Sequence, residues 1–404
     1  MTTLRKSRTA IVLLAVLAGA ALLSGCQGGN GDAADRKPQP SATPHGYIEG
    51  AEEAAEQQSR LVIADAGTGS IRTLDLITGD VKPLKPATGV KAIRTDGRFA
   101  YLSTGNGTRV VDSGAWMVDH GDHVHYYRAA IRDVGTIPGA SPRAIHSDPA
   151  VTAVTSSSGA ARLLDRKVSE GGAVGDSRSL PDAGSGAVVP YKEHLLVAGA
   201  GAANTSVEVR DRKGARVSSL SEQCPQPHGE AVTRRGVVFG CSDGALLVSE
   251  KKETFTAEKI PYNSDVDAGY RALEFRHRPG STTLVSPSGR DAVWVLDVTK
   301  RSWKRINTGP VISANTAGEG SPLLALGKDG VLAAYDISTG KRTADKRVLT
   351  TPLDSSSIQV DTSRAYINDA ASRKVYEVDY NDQLRMARTF KLDLSPTHMV
   401  ETGR

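Results

Sequence analysis

The sequence predicts an all-β fold assembled from repeats, on three observations. From residue 60 onward one pattern recurs: a β-rich apolar run, a Gly/Asp/Ser turn, then a second run that often closes on Asp. The recurrences begin near residues 61, 99, 150, 195, 237, 283, 323 and 365, so eight copies follow one another at roughly 38 to 51 residues. Glycine is abundant (41 of 404 residues) while aromatics make up only 5%, which favours short strands and turns over helical bundles. A period of this length, with about four short strands per unit, is that of a β-propeller. No such unit buries its apolar face alone, so neighbours must stack. The count predicts eight blades, with seven as the alternative if one weak copy is an insertion.

The N-terminus reads as a targeting segment. Arg5, Lys6 and Arg8 form a charged start, and Ala10 to Leu23 an apolar core too short for a comfortable membrane span. It ends in Leu23-Ser24-Gly25-Cys26, which resembles the bacterial lipoprotein signal. That resemblance implies cleavage before Cys26 and lipidation of its thiol. The alternative is an ordinary secretory signal with a chance cysteine, and either way the mature protein lies outside the cytoplasm. Residues 1–25 are therefore expected to be a lipoprotein signal peptide, 26–58 a disordered tether almost free of bulky apolar residues, and 59–404 the propeller domain.

Within the repeats, a short segment precedes each apolar run, as in Ala92-Ile93-Arg94-Thr95-Asp96-Gly97, and reads as the innermost strand of a blade with its turn. The first copy lacks one, whereas Thr397–Arg404 looks like one with nothing after it. The C-terminal strand is thus expected to complete the first blade and close the ring by sheet pairing, removing two exposed sheet edges. Cys224 and Cys241 are the two cysteines left after Cys26. In an oxidising compartment they are expected to form one disulfide across a β-hairpin, a zinc site using both thiolates being the alternative.

A formal net charge of +5 is modest for this length, and no basic stripe with interleaved aromatics occurs, which argues against nucleic-acid binding. No GxSxG elbow, HExxH helix or Gly-rich phosphate loop is present, and the carboxylates are scattered at repeat turns, so no acid/base pair assembles.

The stretch that carries chemistry is Asp119-His120-Gly121-Asp122-His123-Val124-His125-Tyr126-Tyr127, which holds three of the nine histidines. Side chains alternate along a strand, so His123 and His125 share a face, while Gly121 and Asp122 are turn formers that bring His120 close. Imidazoles with a nearby carboxylate suit Zn²⁺. The plain alternative is a polar hairpin tip facing water. The second repeat is the longest, with its surplus between Val110 and Ile131, so this stretch is expected on an extended hairpin. His228, before an inner strand, and His398, at the same place in the C-terminal unit, are further metal candidates at the channel mouth, the alternative for each being a structural imidazole bonded to the backbone of an adjacent blade. If the turn between outer strands lies on the opposite face, the two sets form two sites; if the hairpin folds across, one. His146, His194 and His277 read as structural or solvated.

The histidine stretch, together with Cys224-Pro225-Gln226-Pro227-His228-Gly229-Glu230 and the repeats of residues 60–404, resembles the AztD-like extracytoplasmic zinc metallochaperones that accompany Azt-type ABC zinc importers. The resemblance implies a non-enzymatic protein that binds Zn(II) and delivers it to the solute-binding lipoprotein of the importer. It carries His120, Asp122, His123 and His125 over as metal residues; His228 and His398 extend that set on their position alone. With Cys26 lipidated, transfer would occur at the surface of the cell membrane. The alternatives are a metal-dependent propeller lactonase or lyase, and a protein-interaction propeller that binds no metal.

Overall fold

The computed structural model describes residues 46–404 apart from 122, 140, 185, 201 and 202. The signal segment, Cys26 and the tether up to residue 45 lie outside the described residues. Strands dominate. The α-helix Arg166–Glu170 and the 3-10 turn Ala268–Tyr270 are the helical elements among the described residues. No helix there is long and apolar enough to cross a membrane.

Each repeat folds into an antiparallel sheet, as the propeller reading expects. The second is representative, running Ala92–Thr95, Phe99–Thr104, Gly107–Asp112 and Arg132–Pro138 from its inner edge outward. In the first sheet the inner place is taken by His398–Thr402, which pairs antiparallel with Arg60–Ala64, so that Val400 faces Val62 in the register. The sixth sheet has three strands, Thr283–Ser288, Ala292–Asp297 and Ser302–Asn307. Its inner place is held by one bridge between Arg276 and Val285. Pro279, with no amide hydrogen to donate, lies three residues on, where a longer ladder would have to continue.

The recurrent Asp at the end of a run has a local cause. Asp65 Oδ1 accepts from the amides of Gly67 and Thr68, and Asp75 Oδ1 from those of Ile77 and Thr78. Asp336 does the same for Thr339 and also accepts from the Ser338 and Thr339 hydroxyls, which pull its carboxyl down to about 2. These carboxylates close turns.

The core lies between sheets rather than within them. Val62, Ile71, Leu102 and Val111 join the first sheet to the second. Leu196, Val209, Phe239 and Leu246 join the fourth to the fifth. Tyr366, Val375 and Leu392 of the last sheet pack with Leu61, Leu74 and Met399 of the first. Burying side chains of this size contributes about 1.5–3 kcal/mol each, and it is available only when neighbours stack. Cys224 and Cys241 form a disulfide, with Cα atoms 5.0 Å apart, that ties the entry of the fifth sheet to the end of its strand Gly236–Cys241.

One expectation needs correction. The disordered tether assigned to residues 26–58 does not extend that far, because Glu52–Ala54 form a strand paired antiparallel with Val124–Arg128. Composition hid it: backbone pairing at a sheet edge needs no bulky side chains.

Candidate metal centre

Between the third and fourth strands of the second sheet the chain leaves to form a hairpin, Ala115–Asp119 and Val124–Arg128. Its root is fixed from beneath. Arg98 makes two hydrogen bonds to the Asp112 carboxylate, at 2.7 and 3.1 Å, and its guanidinium lies 3.8 Å from the Trp116 ring centre. Arg60 Nη1 donates to Ser113 O at 2.5 Å. Both Arg98 and Asp112 are buried. Burial pushes the Asp112 carboxyl up, but the hydrogen bonds and charge of Arg98, with Arg132 and the Gly114 amide, outweigh it and leave the group below its ordinary range.

The pairing register puts Trp116 opposite Tyr127 and Val118 opposite His125. These four therefore share one face of the hairpin. Trp116 and Tyr127 stack at its base with centroids 5.4 Å apart, both buried. Toward the tip, His120 N donates to His123 O at 2.9 Å across the turn, and Asp119 Oδ1 accepts from Gly121 N at 2.7 Å. This turn folds His120 back onto the strand pair. The centroids of the His120, His123 and His125 rings lie 4.9 to 5.3 Å from one another. One ligand nitrogen from each lies within 4.8 Å of the others, and His123 Nε2 and His125 Nε2 are 3.1 Å apart. Two nitrogens bound to one tetrahedral ion at ~2.0–2.1 Å would be roughly 3.3 Å apart, close to the separation of this hydrogen-bonded pair. His120 and His123 are exposed and His125 half-buried. The group can therefore hold a metal ion that a partner could reach.

Asp122, expected as a fourth donor, lies outside the described residues. His228 and His398 are not brought into this group, and of the two arrangements the sequence left open, one site or two, the strand directions favour two. The hairpin tip meets Arg234, in the turn after the inner strand Glu230–Thr233. His228 precedes that strand, roughly 20 Å back along it. His398 opens its own inner strand, whose far end meets Gly97 through Gly403, so it too lies at the end away from the inner turns. His398 is half-buried, and burial holds its imidazole below the usual histidine range.

The other histidines have structural partners. His194 Nδ1 is 2.8 Å from Lys192 O. His146 Nε2 is 3.0 Å from Glu230 Oε1, which joins the inner strands of the third and fifth sheets. Burial pushes the Glu230 carboxyl up, but His146, Arg143 and Arg94 outweigh it and hold the group low. Burial lowers His277 to about 4. Arg94 of the second sheet is 3.8 Å from Glu274, beside the sixth, and Glu274 also pairs with Arg276 at 2.7 Å. These charges satisfy one another.

Sequence reasoning missed two residues at the metal centre. Glu53 Oε1 lies 2.7 Å from His125 Nδ1, and Arg234 Nη2 lies 3.3 Å from Asp119 Oδ2. Neither has a local signal, since each reaches the hairpin from a distant part of the chain.

No family model matches the chain, and no curated protein matches it in sequence. Solved structures do match in fold. A crystal structure of AztD from Citrobacter koseri aligns at TM-score 0.69 and 20% identity, covering 86% of this chain and 98% of that one. Apo AztD from the same organism gives TM-score 0.69 and 19% identity over 85% and 98% of the two chains. The dihydro-heme d1 dehydrogenase NirN aligns at TM-score 0.55 and 14% identity, over 87% of this chain and 76% of that one. The fold is AztD-like, and at these identities the likeness is one of fold.

Proposed function

We propose that this protein is an extracytoplasmic zinc carrier, whose cargo ion is held by His120, His123 and His125 with Asp122 or a water as fourth donor, and which hands it to the solute-binding lipoprotein of an ABC zinc importer. The observation that carries this reading is the 3.1 Å approach of His123 Nε2 to His125 Nε2 on a hairpin tip, with His120 folded over them. Neutral imidazoles suit Zn²⁺. A site on an exposed tip suits hand-over, because an incoming ligand can reach the ion before the outgoing ones leave. The AztD-like fold and the resemblance of the histidine stretch support the delivery role, and with it a non-catalytic protein.

In the same reading the eight repeat sheets are eight blades of one ring, clasped by His398–Thr402 and by the apolar cluster that the last sheet shares with the first. Cys26 carries the lipid that keeps the protein at the cell membrane, and Cys26→Ala should release it into the soluble fraction. His228 and His398 take no part in the cargo site. The test of delivery is transfer: zinc-loaded protein mixed with an apo solute-binding partner should metallate it faster than zinc dissociates into a chelator. Transfer no faster than that dissociation would contradict delivery.

A further inference from the structure

We infer that Glu53 is a positioning residue for the cargo site: it fixes the tautomer and orientation of His125 so that Nε2 is the nitrogen offered to the ion. The inference rests on the zinc reading and deepens it.

The two nitrogens of His125 face different neighbours. Nδ1 is 2.7 Å from Glu53 Oε1, and Nε2 is 3.1 Å from His123 Nε2. An ionised carboxylate can only accept, so the hydrogen must sit on Nδ1, which leaves Nε2 unprotonated, an acceptor toward His123 Nε2 and the nitrogen whose lone pair an ion would take. An imidazole's nitrogens point away from each other. A carboxylate on the Nδ1 side therefore cannot also bind an ion on the Nε2 side, and Glu53 acts through His125 rather than as a ligand. Such carboxylate–imidazole–metal arrangements also make the imidazole a better donor.

The carboxylate is delivered by backbone geometry. Glu53 pairs with Tyr127 in the register of the N-terminal strand, so its side chain shares the face that carries His125. Burial raises the Tyr127 phenol above its ordinary value, and the Glu53 charge raises it further. The strand is held at two more points. Trp116 Nε1 donates to Gly46 O at 3.1 Å, and Arg128 pairs with Glu52 at 2.8 Å. Glu52 is the neighbour of Glu53 on the opposite face, with its carboxylate on Arg128 rather than on an imidazole, and so provides an internal control. The segment 46–54 thus runs along the hairpin as a strap, and the residue that tunes the site is carried by a strand of three residues.

The experiment is a chelator-competition titration of zinc on the mature protein and on Glu53→Ala, Glu53→Gln, Glu52→Ala and His125→Ala, with the cobalt(II) visible spectrum recorded for each. Glu53→Ala should weaken zinc by about 10- to 100-fold, the usual cost of removing such a partner. Glu53→Gln, whose amide oxygen can still accept from Nδ1–H, should recover most of that loss. Glu52→Ala should stay within about twofold of wild type. The cobalt bands of Glu53→Gln should keep their positions, since no ligand has changed. Equal losses in Glu52→Ala and Glu53→Ala would assign the effect to strand attachment and overturn the inference. So would a Glu53→Gln loss as deep as that of Glu53→Ala, or unchanged affinity in Glu53→Ala beside a weakened His125→Ala, which leaves the zinc reading standing. Unchanged affinity in His125→Ala would instead overturn the zinc reading itself.

Discussion

Arg234 Nη2 lies 3.3 Å from Asp119 Oδ2, joining the hairpin that leaves the second sheet to the inner turn of the fifth. The hairpin therefore reaches across the inner turns instead of standing away from its own blade. The Arg234 side chain is 68% exposed, so the pair is wet and weak. Arg234→Ala should leave the melting temperature within about 1 °C of wild type, as expected for an exposed pair. It should nevertheless speed hydrogen exchange of the amides at 118–124. Unchanged exchange there would show that the tip needs no anchor.

Asp112 is the opposite case. It is buried, and its charge compensates Arg98, which is 2% exposed. Asp112→Asn should cost about 3–5 kcal/mol, because it breaks the close buried pair and leaves the Arg98 guanidinium only the longer contact to Glu170, at 3.8 Å. Its carboxyl is held low in the folded protein, so its contribution is present above the ordinary carboxylate range and is lost as pH falls through the depressed folded value. Chemical denaturation at pH 7 and pH 3 checks both statements: the gap between wild type and variant should narrow at the lower pH.

Glu401 has the reverse sign. It is fully buried in the innermost strand of the first sheet, and burial raises its carboxyl to about 7, although Arg404 pulls the other way. A carboxyl raised on folding favours the folded state below its unfolded value, and that contribution is lost as pH climbs through about 7. Glu401→Gln should therefore gain on wild type between pH 5 and pH 8, by about 1–3 kcal/mol. Melting curves at the two pH values test it; a variant whose deficit is the same at both would contradict the raised value.

The repeats were legible because one local device, an Asp that closes a turn, recurs at the end of successive runs, as at Asp65, Asp75 and Asp336. The approach of His123 to His125 was legible because strand alternation sets it within three residues. Glu53 was not legible. It reaches His125 across 72 positions through the pairing of a strand whose composition reads as linker. His228 lies two residues before its inner strand and His398 opens its own, but that likeness says nothing about which end of the inner strands the hairpin covers. The contact between Asp119 and Arg234 points to that end, and it joins residues 115 positions apart.

The most direct measurement is zinc affinity by chelator competition in wild type, His120→Ala, His123→Ala, His125→Ala and the paired control His194→Ala. His194 is held by the Lys192 carbonyl and the edge of Phe255, and belongs to no group of three metal-ligating side chains among the described residues. One ion should bind tightly to wild type and to His194→Ala. Each triad variant should lose at least about tenfold, since removing even an outer partner of a ligand costs about that much. Equal affinity across all five proteins would remove the hairpin from the site and contradict the account.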